Sequence, residues 1–157
     1  MKKIIQTLLC VVGCACIICA SSIETSAEES VCYLSQDQID ICFVMQDRYG
    51  VSAALLAAII QTESSGNPLA QNGSCKGLMQ VAQFWACADD DLFDEFNNVE
   101  LGTEVLCYYG EQCDWDLYEV LARYHGEKNY SVNNPSKYVR TVSQLARAIE
   151  LEWYGGY

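Results

Sequence analysis

Apolar and polar residues repeat along most of this chain at the spacing of an α-helix. After Ser35, the residues Ile39, Cys42, Phe43 and Gln46 follow that period until Gly50 stops the turn. Ser35 and Gln38 read as a capping box, each side chain satisfying the other's backbone N–H. Ser52 is placed to cap a second helix from Ala53 to about Ser64, ahead of Gly66 and Pro68. The pattern predicts a third helix from Leu78 to about Cys87, with Leu78, Val81, Ala82 and Trp85 on one face. Asn97 or Asn98 caps a fourth, which carries Leu101, Val105, Leu106 and Tyr109 before Gly110. Asp116 with Glu119 opens a fifth that ends at Gly126. Asn134-Pro135 opens the last, with Tyr138, Val142, Leu145, Ile149 and Trp153 along its inner face. Only Gln71 to Lys76 reads as a short hairpin or loop. The expected fold is all-α, without internal repeats.

The first residues follow a different rule. Lys2 and Lys3 precede an apolar stretch, Ile4 to Ala20, and then small and acidic residues. This is the pattern of a secretory signal, so residues 1–27 are expected to be an address and 28–157 the working domain. Cleavage fits after Ala27 or after Ala20. An uncleaved membrane anchor is the alternative, since the apolar stretch is near the lower limit for a span. Val11-Val12-Gly13-Cys14 also resembles a lipoprotein box, although apolar residues continue after Cys14. In the mature form no membrane span is expected.

At 157 residues the chain has room for one ordinary domain, and a net charge of −12 excludes the electrostatics of a nucleic-acid binder. Four of its ten cysteines lie in the apolar leader. Six remain: Cys32, Cys42, Cys75, Cys87, Cys107 and Cys113. An even number in an exported domain suggests up to three disulfides, with Cys107–Cys113 the most local pairing and the connectivity open. Their spacing argues against zinc, and no cofactor is expected.

One residue breaks the pattern of the second helix. Ala53 to Ile60 is apolar throughout, and Glu63 follows Ile59 by four residues and Leu56 by seven. Its carboxylate therefore projects from the face that packs inward. It also lies in the last turn, where the helix dipole opposes a second negative charge. Burial and dipole both favour the neutral acid, the state a general acid needs. A solvent-facing helix-end glutamate is the competing reading.

The residues around Glu63 resemble a known family. Tyr49-Gly50-Val51 followed by Leu55-Leu56-Ala57-Ala58-Ile59-Ile60-Gln61-Thr62-Glu63-Ser64 is similar to the soluble lytic transglycosylases, whose helix ends in a Glu-Ser pair. Gly77-Leu78-Met79-Gln80 matches that family's second motif, and Asn98-Val99-Glu100-Leu101-Gly102 resembles its third. Tyr138-Val139-Arg140-Thr141-Val142 is similar to its closing segment. Four short motifs in the family's order, from about residue 48 to 145, are specific together. Ala122-Arg123-Tyr124-His125-Gly126 departs from the family's Ala-Tyr-Asn-Ala-Gly pattern. The Tyr-His version looks like the branch associated with conjugation and secretion machines.

The resemblance implies a lysozyme-like domain that cleaves the bond between N-acetylmuramic acid (MurNAc) and N-acetylglucosamine (GlcNAc) in peptidoglycan, leaving a 1,6-anhydro end. Glu63 would act first as acid and then as base. Ser64, Gly77, Met79, Gln80, Tyr124 and His125 would form the substrate-binding set. The competing readings are a cap serine, a turn glycine, a core methionine and a half-exposed helix-end histidine. Gly102, inside a helix, is expected to serve close packing. The implied partners are glycan strands, with a conjugation or secretion complex implied by the Tyr-His branch, in the cell wall or periplasm. Asp89, Asp90, Asp91, Asp94 and Glu95 form an acidic run that lacks calcium-loop spacing and reads as a solvated loop. Two alternatives stay open. One is a muramidase using water and a second carboxylate, drawn from Asp89 to Asp94 or Glu127. The other is a non-catalytic wall-binding component of a secretion apparatus.

Overall fold

The computed structural model describes residues 30–131 and 133–155, so the expected signal segment lies outside the described residues. In chain order the elements are α1 (Gln36–Tyr49), α2 (Ala53–Ser64), β1 (Gln71–Asn72), β2 (Cys75–Lys76), β3 (Val81–Ala82), α3 (Glu95–Gln112), α4 (Leu117–Tyr124) and α5 (Lys137–Tyr154). A 3-10 turn at Gln83–Trp85 follows β3. The protein is a helical domain with one small antiparallel sheet, ordered β1-β2-β3.

The α2 helix forms the centre. Eight of its twelve residues are buried, and four of those are alanines that let neighbouring backbones approach closely. Its most extensive partner is α5, with α1 packed against it as well. Leu56, Ile59 and Ile60 are completely buried. Each contributes about 1.5–3 kcal/mol relative to an exposed position.

Several predicted ends are where the sequence puts them. The Ser35–Gln38 capping box forms, and Gly50 closes α1 in the left-handed conformation at φ 73°. Ser52 caps α2 by accepting from the Leu55 N–H. Asp116 caps α4 by accepting from the Glu119 N–H at 3.0 Å. The Gln71–Lys76 hairpin forms with Gln71 opposite Lys76 and Asn72 opposite Cys75.

Other expectations fail for identifiable reasons. No helix runs from Leu78 to Cys87; a tight turn at residues 77–80 leads into β3, which adds a third strand to the hairpin. Gly77 (φ 76°) and Gln80 (φ 49°) are both left-handed, which a helix cannot accommodate. Leu78 and Val81 are buried all the same, so their apolar spacing records burial rather than helix. The α3 helix starts earlier than predicted, because Asp94 rather than Asn97 or Asn98 is the cap. Gly110 does not end it. A Cβ there would come within 2.7 Å of the Trp115 indole, so glycine permits that ring to lie on the helix. The last helix begins at Lys137, capped by Ser136 and not by Asn134.

All six cysteines of the described residues are thiols in the structure. Cys107 and Cys113 are six positions apart along α3 and its cap, about 240° around the axis, so they point apart. Cys113 donates instead to the Tyr109 carbonyl at 2.9 Å. Gly102, by contrast, serves the close packing expected of it: a Cβ there would meet the Met79 sulfur at 2.6 Å.

Candidate active site

Glu63 stands in the last turn of α2 and is partly buried. Burial raises its pKa above the ordinary glutamate value, against the lowering influence of the Tyr138 hydroxyl and the His125 imidazole. Tyr138 is the second residue of α5, and His125 terminates α4. Three helix ends thus meet at one carboxyl group. The Tyr138 hydroxyl oxygen is buried and makes no hydrogen bond of good geometry, although it lies near enough to Glu63 to favour the anion. Burial and the Glu63 charge push the Tyr138 phenol well above its usual range, so it remains a donor.

His125 is more than a helix end. Its ring stacks on Tyr138 with centroids 4.0 Å apart and planes 11° from parallel. Its Nδ1 lies 3.3 Å from Oε1 of Glu127, an oxygen otherwise without a hydrogen-bond partner. Neither Tyr138 nor Glu127 belonged to the residue set expected to bind substrate. Tyr138 was signalled as an inner-face residue and as the first residue of the family's closing segment, and Glu127 only as an alternative water-activating acid.

Gln80 and Tyr124 border a cavity of about 190 Å³, which His125, Trp85 and Tyr109 also line. The Tyr124 hydroxyl donates to the Met79 carbonyl at 2.9 Å, leaving only its oxygen lone pairs available. Burial and the nearby Glu63 charge hold its pKa well up, so this donor is not lost. Both amide protons of Gln80 are committed, to the carbonyls of Ala70 and Gly77 at 3.0 Å each. Its Oε1 is left to accept. A left-handed φ at a non-glycine residue costs about 1–3 kcal/mol, and these two bonds help hold Gln80 in it.

Three residues of the expected set make contacts within the chain itself. Met79 is completely buried against Gly102, so its side chain meets protein core rather than the cavity. Ser64 donates to the Ile60 carbonyl of its own helix at 3.1 Å. Gly77 is required by a close approach within the chain: a Cβ there would lie 2.2 Å from Asn98 Nδ2 and from the Leu92 carbonyl oxygen.

Asn98, read from the sequence as a candidate cap and as the first residue of a family motif, organises this region. Buried within α3, its Oδ1 accepts from the Met79 N–H at 2.8 Å. Its Nδ2 donates to the carbonyls of Lys76 and Leu92, each at 2.9 Å. One amide thereby ties the turn at residues 77–80 to α3 and to the acidic loop. That loop's carboxylates serve as local acceptors: Asp90 takes the Cys87 N–H, Asp91 the Phe93 N–H and Asp94 the Asn97 N–H. Among the described residues, no group of three or more His, Cys, Asp or Glu is placed to hold a metal ion.

A central buried helix ending in a glutamate, other helices around it and a small sheet beside the cleft define a lysozyme-like domain. The chain belongs to the transglycosylase SLT domain family, whose profile matches residues 40–144. It is similar to the membrane-bound lytic murein transglycosylase C of Yersinia enterocolitica, 35% identical over 119 residues that cover 55% of this chain and 33% of that protein. The Serratia proteamaculans protein of the same name is 43% identical over 74 residues, covering 38% of this chain and 21% of that protein. The chain thus spans a third or less of the length of these relatives. Among the described residues, no helix is long and apolar enough to cross a membrane.

Proposed function

We propose that this domain is a peptidoglycan lytic transglycosylase that breaks the MurNAc-β-1,4-GlcNAc bond without water. The observation that carries this reading is the half-buried Glu63, held toward its neutral form by burial beside the cavity that Gln80 and Tyr124 border. Neutral Glu63 gives its proton to the glycosidic oxygen as the bond from that oxygen to the muramyl C1 breaks. The substrate's acetamido group supports the developing positive charge. The Glu63 carboxylate then takes the proton of the muramyl 6-hydroxyl as its oxygen bonds to C1. One C–O bond breaks, one forms, and the proton returns to Glu63, leaving a 1,6-anhydro end.

A single group can fill both roles only if neither ionisation state is locked. Burial favours the acid, while the Tyr138 hydroxyl and His125 favour the anion formed halfway. Gln80 Oε1 and the Tyr124 hydroxyl oxygen are the acceptors offered to the sugar, and His125 forms part of the same wall. The substrate places the enzyme outside the cytoplasm, in keeping with a cleaved leader at residues 1–27. The likeness of the Tyr124-His125 segment favours service within a conjugation or secretion complex.

A second reading, hydrolysis, has one observation in its favour: the buried Glu127 Oε1, which has only the His125 Nδ1 beside it at 3.3 Å. Mass spectrometry of digested peptidoglycan separates the two. Anhydro-muramyl ends are expected, and reducing ends throughout would establish hydrolysis instead. Glu63→Gln should abolish turnover in the same assay. A variant as active as the parent would remove Glu63 from the mechanism.

A further inference from the structure

Four aromatic side chains gather at the surface beside the candidate site. Trp85 is the hub, its ring centroid 5.3 Å from Phe84, 5.1 Å from Tyr108 and 5.9 Å from Tyr109. Tyr108 and Tyr109 are themselves 5.3 Å apart. Tilted and edge-on contacts of this kind are the favoured aromatic geometry, so the rings brace one another. Phe84 is 78% exposed and Tyr108 50% exposed, far more than a role in the core explains. A contiguous exposed apolar patch of this kind marks a binding surface.

The position of the patch indicates its occupant. Phe84, Trp85 and Tyr109 line the same cavity as Gln80, Tyr124 and His125, and the last two are electrostatic neighbours of Glu63, so the patch adjoins the candidate site. We infer that this aromatic cluster is a platform for a further N-acetylated hexosamine of the same glycan strand, beyond the sugars that flank the scissile bond. The sugar class rests on the function proposed above. A pyranose chair presents a face of axial C–H bonds that packs on a ring's π surface, while its hydroxyl and acetamido groups stay at the wet rim. The four platform side chains carry no charge. Arg123, a cation lining the cavity, is engaged by Glu119 through bonds from Nε (2.9 Å) and Nη2 (2.6 Å). With a net charge of −12, a neutral sugar face suits this surface better than an acidic peptide.

The test uses Glu63→Gln protein, titrated with GlcNAc hexamer and dimer by calorimetry and tryptophan fluorescence. The hexamer should bind and perturb the Trp85 emission, a signal assigned by its loss in Trp85→Phe. Adding Phe84→Ala and Tyr108→Ala, both at exposed positions, should weaken hexamer binding about tenfold and leave the dimer unchanged. Leu151→Ala, which removes exposed apolar surface elsewhere, should change neither. Equal hexamer affinity with and without the two aromatic substitutions would overturn the platform, as would a parent that binds no hexamer. A platform substitution that lowers self-association in sedimentation while sparing hexamer affinity would make the patch a protein interface instead. The product analysis above fails separately: an active Glu63→Gln protein strikes the chemistry, whereas lost binding discrimination strikes only the platform.

Discussion

Replacing Asn98 by alanine tests how the groove wall is held. The side chain makes three hydrogen bonds, and its Met79 partner is completely buried, so water cannot replace it at that N–H. An orphaned buried backbone group costs about 1–3 kcal/mol, with carbonyls at the lower end because each keeps a second lone pair. One N–H near 2 kcal/mol and two carbonyls near 1 kcal/mol each give a loss of about 3–5 kcal/mol once the small cavity is included. That is a large part of the roughly 5–15 kcal/mol that stabilises an ordinary domain. Urea denaturation followed by circular dichroism measures the loss. Turnover should fall as well, because the Met79 carbonyl positions Tyr124 and the same turn carries Gln80. Asn98→Asp provides a signed control. Its carboxylate can still accept from Met79 but would face two carbonyl oxygens, so its folded pKa is raised. Such a variant regains stability as pH falls and the carboxyl recovers a donor proton. A loss below about 1 kcal/mol for Asn98→Ala would refute the assignment of Asn98 as the organiser of this turn.

Three further outcomes follow from the site and the thiols. Because the folded state holds Glu63 above its ordinary pKa, it binds more protons than the unfolded state just above the normal glutamate range, and stability falls as pH rises through that window. Glu63→Gln should therefore melt higher than the parent at neutral pH, with the gain shrinking at pH values below about 4; an identical difference at all pH values would contradict the burial effect. Tyr138→Phe and His125→Ala each remove a group that favours the Glu63 anion. Both should move the alkaline limb of the pH–rate profile upward, and a downward shift would reverse the assigned signs. Cys32 and Cys42 are both buried, and burial first, with the nearby Cys32 charge adding to it, pushes the Cys42 thiol up to about 12. Oxidised glutathione at alkaline pH should join this pair, shown by peptide mapping of the denatured, alkylated protein, while Cys107 and Cys113 should not appear linked to each other.

The sequence alone determined the features encoded within a few residues. Ser35, Ser52, Asp116 and Gly50 set helix ends because caps and left-handed stops act over one turn. The unbroken apolar run from Ala53 to Ile60 fixed α2 as the buried helix, and with it the half-buried placement of Glu63 at its end. The tertiary structure decided the segment from Gly77 to Trp85, where buried Leu78 and Val81 resemble a helical face but the Asn98 amide and two left-handed residues impose a turn. It also turned Met79 into the core, closed Gly77 against Asn98, stacked His125 on Tyr138 beside Glu63 and set Glu127 against His125. Helical periodicity is written into neighbouring residues. A hydrogen bond between a buried side chain and a backbone nineteen positions away leaves no periodic trace, and neither does a ring stacked across two helix ends; both form only when folding brings distant segments together.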